Sequence, residues 1–329
     1  MELLVQPHNR LLHVAAGANL LDALRDNAVP ISYSCMAGRC GTCRCKVLRG
    51  HVLETGREAK ITNPAEDGYV LACASVITES CAIEIPETDE IVTHPAKILK
   101  ATVTSITSAN HDIKIIRLRT NKPLLFSPGQ YATLQFSPDH IRPYSMAGLS
   151  EDAELEFHVR AVPEGRVSTY VFNTLKVGDA VRVSGPLGTA YLRTRHAGPM
   201  LCVAGGTGLA PILAIVRGAI AAGMANPIRL YFGVRSHQDL YGLAQLSALQ
   251  RAHPALQVDV VLSTGESHDA AMRTGLITDA IAADFADLRG WRAYLCGAPP
   301  MVEATSALIK QRGVAPEHTY ADAFYASGT

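Results

Sequence analysis

Cysteines at 35, 40, 43 and 73 form the first group of residues able to do chemistry, in the order Cys35-x4-Cys40-x2-Cys43 with Cys73 well downstream. This is the plant-type spacing for a 2Fe-2S centre. A tight loop containing Gly38 and Gly41 lets three thiolates converge while backbone N–H groups point at the sulfides. The fourth ligand is expected from a distant strand. The competing readings are a four-cysteine zinc site and unrelated buried cysteines, but zinc sites favour paired C-x2-C knuckles and Cys73 has no such partner. Cys45, Cys81 and Cys202 are read as small buried apolar side chains.

A second group of residues suits aromatic and phosphate ligands. Arg142-Pro-Tyr144-Ser145 supplies a guanidinium for a phosphate, a ring to cover an aromatic system and a hydroxyl to bond a ring nitrogen. Gly165-Arg166-Val167-Ser168 precedes a helix whose first amides, with the Ser168 hydroxyl, offer an anion site for a pyrophosphate, although an ordinary helix cap would look the same. Two phosphate-competent elements so close together point to a flavin. Farther on, Gly205-Gly206-Thr207-Gly208-Leu209-Ala210-Pro211 follows an apolar strand and opens a helix, with Pro211 in its first turn. This is not GxGxxG, yet glycines at a helix N-terminus admit a pyrophosphate in the same way. Cys296-Gly297-Ala298 ends a later strand of the same sheet, which places Cys296 to touch a nicotinamide ring.

Charge is informative locally rather than in bulk. Formal net charge is zero, so nothing general favours nucleic acid or an anionic membrane. Around the cysteine loop, however, Arg39, Arg44, Lys46, Arg49, Arg57 and Lys60 outnumber Glu54 and Glu58. Arg39, Arg44 and Lys46 are read either as a solvated face or as a docking patch for an acidic acceptor protein.

The elements that must hold these groups fall into three segments. Residues 1–93 run through two short apolar strands about the Pro7–Arg10 turn, a helix capped by Asn19, and strands at 45–48, 69–73 and 82–85. Pro86 to Pro95 reads as a linker. Residues 97–194 alternate apolar and polar side chains at 101–106, 113–118, 131–136, 155–159 and 180–183, with one helix near 167–175, the pattern of an antiparallel barrel. Residues 198–329 alternate apolar strands at 200–204, 228–234, 258–262 and 293–296 with helices, the pattern of a doubly wound parallel sheet. The uncharged run from Ala197 to Val216 is a buried strand, glycine turn and helix start rather than a membrane span. The start MELLVQPHNR lacks the basic and apolar regions of a secretory signal, and clustered cysteines then favour metal ligation over disulfides, so a cytoplasmic location is expected.

Through ISYSC, GRCGTCRC, FSPGQYATLQFSP, RPYSMAGL, SGPLGTAYLR, LYFGVRS, GWRAYLCGAP and YADAFY, the chain resembles the plant-type ferredoxin-NADP reductase superfamily over nearly its whole length. Within it, the domain order is similar to the reductase components of aromatic-ring-hydroxylating dioxygenases of the naphthalene type. The resemblance implies a β-grasp 2Fe-2S ferredoxin domain, an FAD-binding β-barrel and an NAD-binding domain. It assigns FAD to Arg142, Tyr144, Ser145 and Gly165 to Ser168, and NADH to Gly206, Thr207, Gly208, Leu209, Pro211, Cys296, Gly297 and Ala298. Phe324, or failing it Tyr325, is the candidate for an aromatic lying over the flavin, with a plain core aromatic as the alternative. Members using NADPH often carry a Ser-Arg pair after the third strand of the nucleotide domain; here that region is Leu262-Ser263-Thr264-Gly265, so NADH is expected, while Arg235 leaves room for NADPH.

A nicotinamide gives up two electrons as hydride and the cluster takes one, so a flavin between them is the necessary converter. The expected function is hydride transfer from NADH to FAD, with Ser145 bonded to the flavin nitrogen and Cys296 positioning the nicotinamide. Single electrons then pass through the cluster to a separate ferredoxin of Rieske type serving an aromatic-ring dioxygenase. The alternative is a two-component reductase donating directly to a terminal oxygenase. A flavin-binding redox sensor is disfavoured because no DNA-binding helix pair or effector segment is visible.

Overall fold

The computed structural model describes residues 1–29, 31, 43–54, 68–85, 94–264 and 272–325. The chain divides into two compact units, Met1–Ala96 with Gly185–Thr189, and Lys97–Ser184 with Ala190–Thr329.

In the first unit, Leu3 and Val5 alternate with outward-facing neighbours along β1 (Glu2–Gln6), which turns back into β2 (Arg10–His13). Helix α1 (Leu20–Asp26) begins at Asn19, whose Oδ1 accepts from the Leu21 and Asp22 amides. Leu20, Leu21 and Leu24 then fall on the face that meets the sheet. Strands β3 (Arg44–Arg49), β4 (Val52–Glu54), β5 (Tyr69–Leu71), β6 (Ser75–Ile77) and β7 (Cys81–Glu84) follow. The main sheet has the order β2-β1-β7-β3-β5, with β1 parallel to β7 and its other pairings antiparallel, while β4 pairs with β6. Cys73 was expected on a strand but stands in a 3-10 turn, Ala72–Ala74, where the chain leaves β5. Most of the expected linker lies outside the described residues.

The second unit opens with an antiparallel sheet. Its strands are β8 (Lys97–Ser108), β9 (Ile113–Thr120), β10 (Tyr131–Ser137), β11 (His140–Ser145), β12 (Leu155–Arg160) and β13 (Ala180–Leu187), with α2 (Arg166–Asn173) between the last two. The order is β11-β10-β13-β8-β9-β12, and a bridge from Met146 to Phe157 joins the two ends, so the sheet curls into a barrel around Val103, Ile116, Leu134, Phe157 and Val183.

Strands β14 (Met200–Gly205), β15 (Ile228–Val234), β16 (Leu256–Leu262), β17 (Met272–Thr274), β18 (Arg292–Gly297) and β19 (Thr319–Ala323) form a parallel sheet in the order β17-β16-β15-β14-β18-β19. Helices α3 (Leu209–Ala221), α4 (Leu243–Ala252), α5 (Ile277–Asp284) and α6 (Pro299–Gln311) connect them, and the sheet carries an apolar cluster on each face. The direction of winding reverses between β14 and β18, the place where open α/β sheets bind ligands. The edge strands β17 and β19 were not read from the sequence because their short, half-buried runs lack the apolar density of the central strands.

Helix α3 is apolar on nearly every side. It lies in one apolar cluster with Ile113 and Leu192, beside Pro128, and Arg217 at its far end makes a two-pronged ion pair with Asp152 at 2.8 and 2.9 Å. The uncharged run is therefore the buried strand β14, the glycine turn and most of α3. Among the described residues no helix is long and apolar enough to cross a membrane.

Candidate functional site

In the first unit, Cys43 and Cys73 are brought together although distant in sequence. Cys43 is buried just ahead of β3, and the Cys73 amide donates to Cys43 Sγ at 3.3 Å. An amide aimed at a cysteine sulfur is the contact that stabilises a thiolate, so these two residues fit a cluster site. Cys35, Cys40 and Arg39 lie outside the described residues. Cys45 and Cys81 are buried in the apolar core of this unit, and burial pushes both thiols up. Arg44 and Lys46 share one face of β3, and both approach the Tyr69 ring, the Arg44 guanidinium at 3.8 Å and the Lys46 ammonium at 5.8 Å from its centre.

In the second unit, β11 delivers Arg142, Tyr144 and Ser145. Arg142 donates to the Tyr325 carbonyl at 3.0 Å. Tyr144 sits edge-on to Phe136 at 6.4 Å between ring centres, and burial pushes its phenol up to about 12, so it stays neutral as a ring that covers rather than a base. Gly165 starts α2 without any side-chain cap, which leaves the first amides of Arg166, Val167 and Ser168 facing outward from the helix end. The Ser168 hydroxyl does not join them: it accepts from the Val162 amide and donates to the Gly165 carbonyl, holding the turn instead.

Ser145 is buried at the end of β11 and donates from Oγ to Asp322 Oδ2 at 3.3 Å. Burial raises Asp322 to about 6, with the Ser145 bond acting in the opposite sense. Sequence reasoning missed Asp322, because β19 that carries it has no apolar signature; the available signal was an acid two residues past Tyr320. Phe324 follows at the same edge, half-buried, its amide donating to the Gly297 carbonyl at 2.8 Å.

The glycine turn is built for close approach. Gly206 takes φ +54°, and a Cβ on Gly208 would collide with the Cys296 carbonyl oxygen, so the ends of β14 and β18 can meet only around glycine. Thr207 lies between them in a 3-10 turn that runs into Leu209 and Pro211 of α3, and neither that turn nor α3 has a side-chain cap. Gly297 and Ala298 close the opposite wall, Ala298 standing just before α6.

Cys296 itself departs from the expectation. Its side chain has no exposed surface and packs in the apolar cluster with Cys202, Leu209 and Tyr294, and burial pushes the thiol far above its ordinary value. In this conformation the thiol is a neutral packing group and not a surface that meets a ring. Arg235 is exposed at the end of β15, and Thr264 donates from both its amide and its hydroxyl to the Arg235 carbonyl, each at 2.8 Å.

One face of β12 adds residues that sequence reasoning also missed. Arg160 lies against Gly206 while donating to Asp112 at 2.6 Å and Asp239 at 3.2 Å. His158, buried, faces Glu156 at 3.2 Å through Nε2 and the Tyr241 hydroxyl at 3.0 Å through Nδ1, and that hydroxyl lies 3.4 Å from the Gly206 carbonyl. The His158 bond is the main reason that Glu156 falls to about 2, with Arg117 also contributing. A carboxylate only accepts, so Nε2 is the donor of that pair. Polar residues at every second position of a barrel strand were the available signal.

Comparison with known proteins agrees with this layout. Family models match residues 3–78 as a 2Fe-2S iron-sulfur cluster binding domain, 100–191 as an oxidoreductase FAD-binding domain, and 202–307 as an oxidoreductase NAD-binding domain. The chain is 60% identical over 328 residues, the full length of both chains, to the ferredoxin–NAD(P)+ reductase component of a naphthalene 1,2-dioxygenase system from Pseudomonas putida. It is equally 60% identical over 328 residues, again all of both, to the reductase component of naphthalene 1,2-dioxygenase and salicylate 5-hydroxylase systems from a Ralstonia species. Among solved structures, a cytochrome P450 reductase of Amycolatopsis matches 98% of each chain with a TM-score of 0.74 at 35% identity. With an iron-sulfur domain, a flavin barrel and a nucleotide sheet in the same order and length as these relatives, the chain belongs to the ferredoxin–NAD(P)+ reductase components of aromatic-ring dioxygenase systems.

Proposed function

We propose that this chain oxidises NADH and reduces a separate ferredoxin, of Rieske type, that serves an aromatic-ring dioxygenase. A flavin and a 2Fe-2S cluster bound in one chain supply the conversion of a two-electron hydride donor into a source of single electrons. The observation that carries the reading lies at the winding reversal of the parallel sheet, where Cys296 packs its carbonyl against Gly208 and pairs in register with Asp322, the residue that accepts from Ser145 at the end of β11.

On this reading each candidate residue takes a role. Residues 1–93, 97–194 and 198–329 serve as cluster, flavin and nucleotide domains. Cys35, Cys40, Cys43 and Cys73 hold the cluster. Arg142 and the free amides of Arg166, Val167 and Ser168 beside Gly165 hold the flavin phosphates, Tyr144 covers the ring system, and Phe324 occupies the place a nicotinamide needs. Gly206, Thr207, Gly208, Leu209 and Pro211 receive the dinucleotide pyrophosphate, and Gly297 and Ala298 wall the nicotinamide. The Ser145 hydroxyl is oriented by donating to the Asp322 carboxylate, which burial raises to about 6, so that it takes up a proton as pH falls below neutral. Cys296 supports this wall from behind rather than touching the ring. NADH is the preferred donor, and the exposed Arg235 beside Thr264 leaves space for the extra phosphate of NADPH.

For the acceptor, Arg44 and Lys46 about Tyr69, with Arg39, form the docking face for an acidic ferredoxin. The deciding experiment is anaerobic titration with NADH followed by visible absorbance and low-temperature EPR, then reconstitution with a Rieske-type ferredoxin or with a terminal oxygenase alone. Flavin bleaching with a rhombic 2Fe-2S signal and ferredoxin-dependent turnover is the expected result. Bleaching without a cluster signal would refute the role given to the cysteines, and turnover with oxygenase alone would replace the ferredoxin by a direct partner.

A further inference from the structure

The turn that carries Cys73 is held from outside the cysteine motif, by the residue that starts α1. Asn19 uses both ends of its amide. Oδ1 accepts from the Leu21 and Asp22 amides at 3.0 and 3.2 Å and so caps the helix, while Nδ2 donates to the Cys73 carbonyl at 2.9 Å. The flanking backbone is tied in as well: Asn19 bridges Val76, Ile77 donates to the Ala18 carbonyl and Gly17 donates to the Ile77 carbonyl, both at 2.9 Å. On the other side of the turn, the buried Ser75 hydroxyl donates to the Leu71 carbonyl at 2.8 Å.

These bonds fix the peptide on each side of Cys73. With its carbonyl held by Asn19, the Cys73 residue is oriented so that its amide points at Cys43 Sγ. We infer that Asn19 is a positioning residue for the cluster, setting through Cys73 both the placement of one thiolate and the N–H···S bond to another. This rests on the reading of Cys43 and Cys73 as ligands. Partners of ligating side chains tune affinity and electronic properties as ligands do, and their loss costs on the order of 10-fold or more in metal retention. An asparagine is suited to the task in a way other caps are not, because serine, threonine and aspartate also accept from helix amides but have no amide donor.

That difference supplies the test. In the full-length holoenzyme, Asn19→Thr keeps an acceptor for the helix and loses the donor to Cys73. Asp22→Ala weakens the first turn of α1 without touching Cys73. Asn19→Thr is expected to speed chelator-driven loss of cluster absorbance about tenfold and to shift the cluster EPR g-values and midpoint potential, with helix content and thermal midpoint unchanged. Asp22→Ala is expected to leave the EPR signal and the rate of cluster loss as in the parent. An Asn19→Thr enzyme with the parent's EPR signal and cluster lifetime overturns the inference, and so does an Asp22→Ala enzyme that loses its cluster equally fast. A parent enzyme reduced by NADH that shows no 2Fe-2S signal overturns the ligand reading itself.

Discussion

Ser145 and Asp322 illustrate how differently two partners in one hydrogen bond can be read. Ser145 belongs to a compact run, Arg142 to Ser145, whose side-chain types suggest a flavin before any fold is known. Asp322 is one acid among many, and only the pairing of β19 with β18 carries it to the serine. Ser145→Ala is expected to slow flavin bleaching by NADH on the order of 100-fold, measured by anaerobic stopped flow, with the fold intact by circular dichroism. Asp322 makes a separate prediction through pH. Its folded pKa, about 6, lies above the ordinary carboxylate value of 3.8, so the folded state binds more protons between those values and stability falls as pH rises from about 4 to about 6. Asp322→Asn should flatten that part of the melting curve against pH and remove a step near pH 6 from the rate of reduction. A rate profile that keeps the step would assign it to another group. Cys296 shows the opposite failure of inference: its place at a strand end was legible, but whether its sulfur faces a ligand or the core depends on side-chain packing that strand order does not reveal.

At the level of elements, β12 is the instructive case. Its alternation was legible as a barrel strand, yet the meaning of its polar face was not, since His158 and Arg160 acquire purpose only against Gly206, Asp239 and Tyr241 of the parallel-sheet half. Tyr241→Phe removes a buried hydroxyl and strands His158 Nδ1, which should lower stability by about 1–3 kcal/mol and raise the KM for NADH, because the Gly206 turn loses its neighbour. An unchanged KM would show that the turn holds itself. Gly208→Ala tests the other wall: added bulk against the Cys296 carbonyl should cost about 1–3 kcal/mol and weaken NADH binding more than it weakens flavin binding, as equilibrium dialysis of each would show. The edge strands β17 and β19 escaped the sequence for a physical reason, since a strand bordered by only one neighbour needs less apolar surface and its residues read like a loop.

For the whole molecule, the order of domains was legible because each has its own periodicity: clustered cysteines, period-two strands, then strands alternating with helices. The contacts that make barrel and parallel sheet one compact unit were not, for they depend on singular pairs such as Arg217 with Asp152 and Arg160 with Asp239. The basic face of the first unit makes a prediction of the same scale. Arg44→Glu should leave NADH-driven flavin bleaching unchanged while lowering the second-order rate of ferredoxin reduction, and should flatten its dependence on ionic strength. Equal salt slopes in variant and parent would move the docking face elsewhere.

The placement of β19 has one more consequence. Asp322 lies on the outermost strand of the sheet, parallel to β18, so the strand that completes this edge is also the one that brings the carboxylate to Ser145. An endoproteolytic cut just before Thr319 that released β19 would open the edge of β18 and disarm the serine together. Survival of the site thus reports on the integrity of the sheet, and a molecule that has lost its edge strand should be unable to accept hydride efficiently even with its flavin barrel folded.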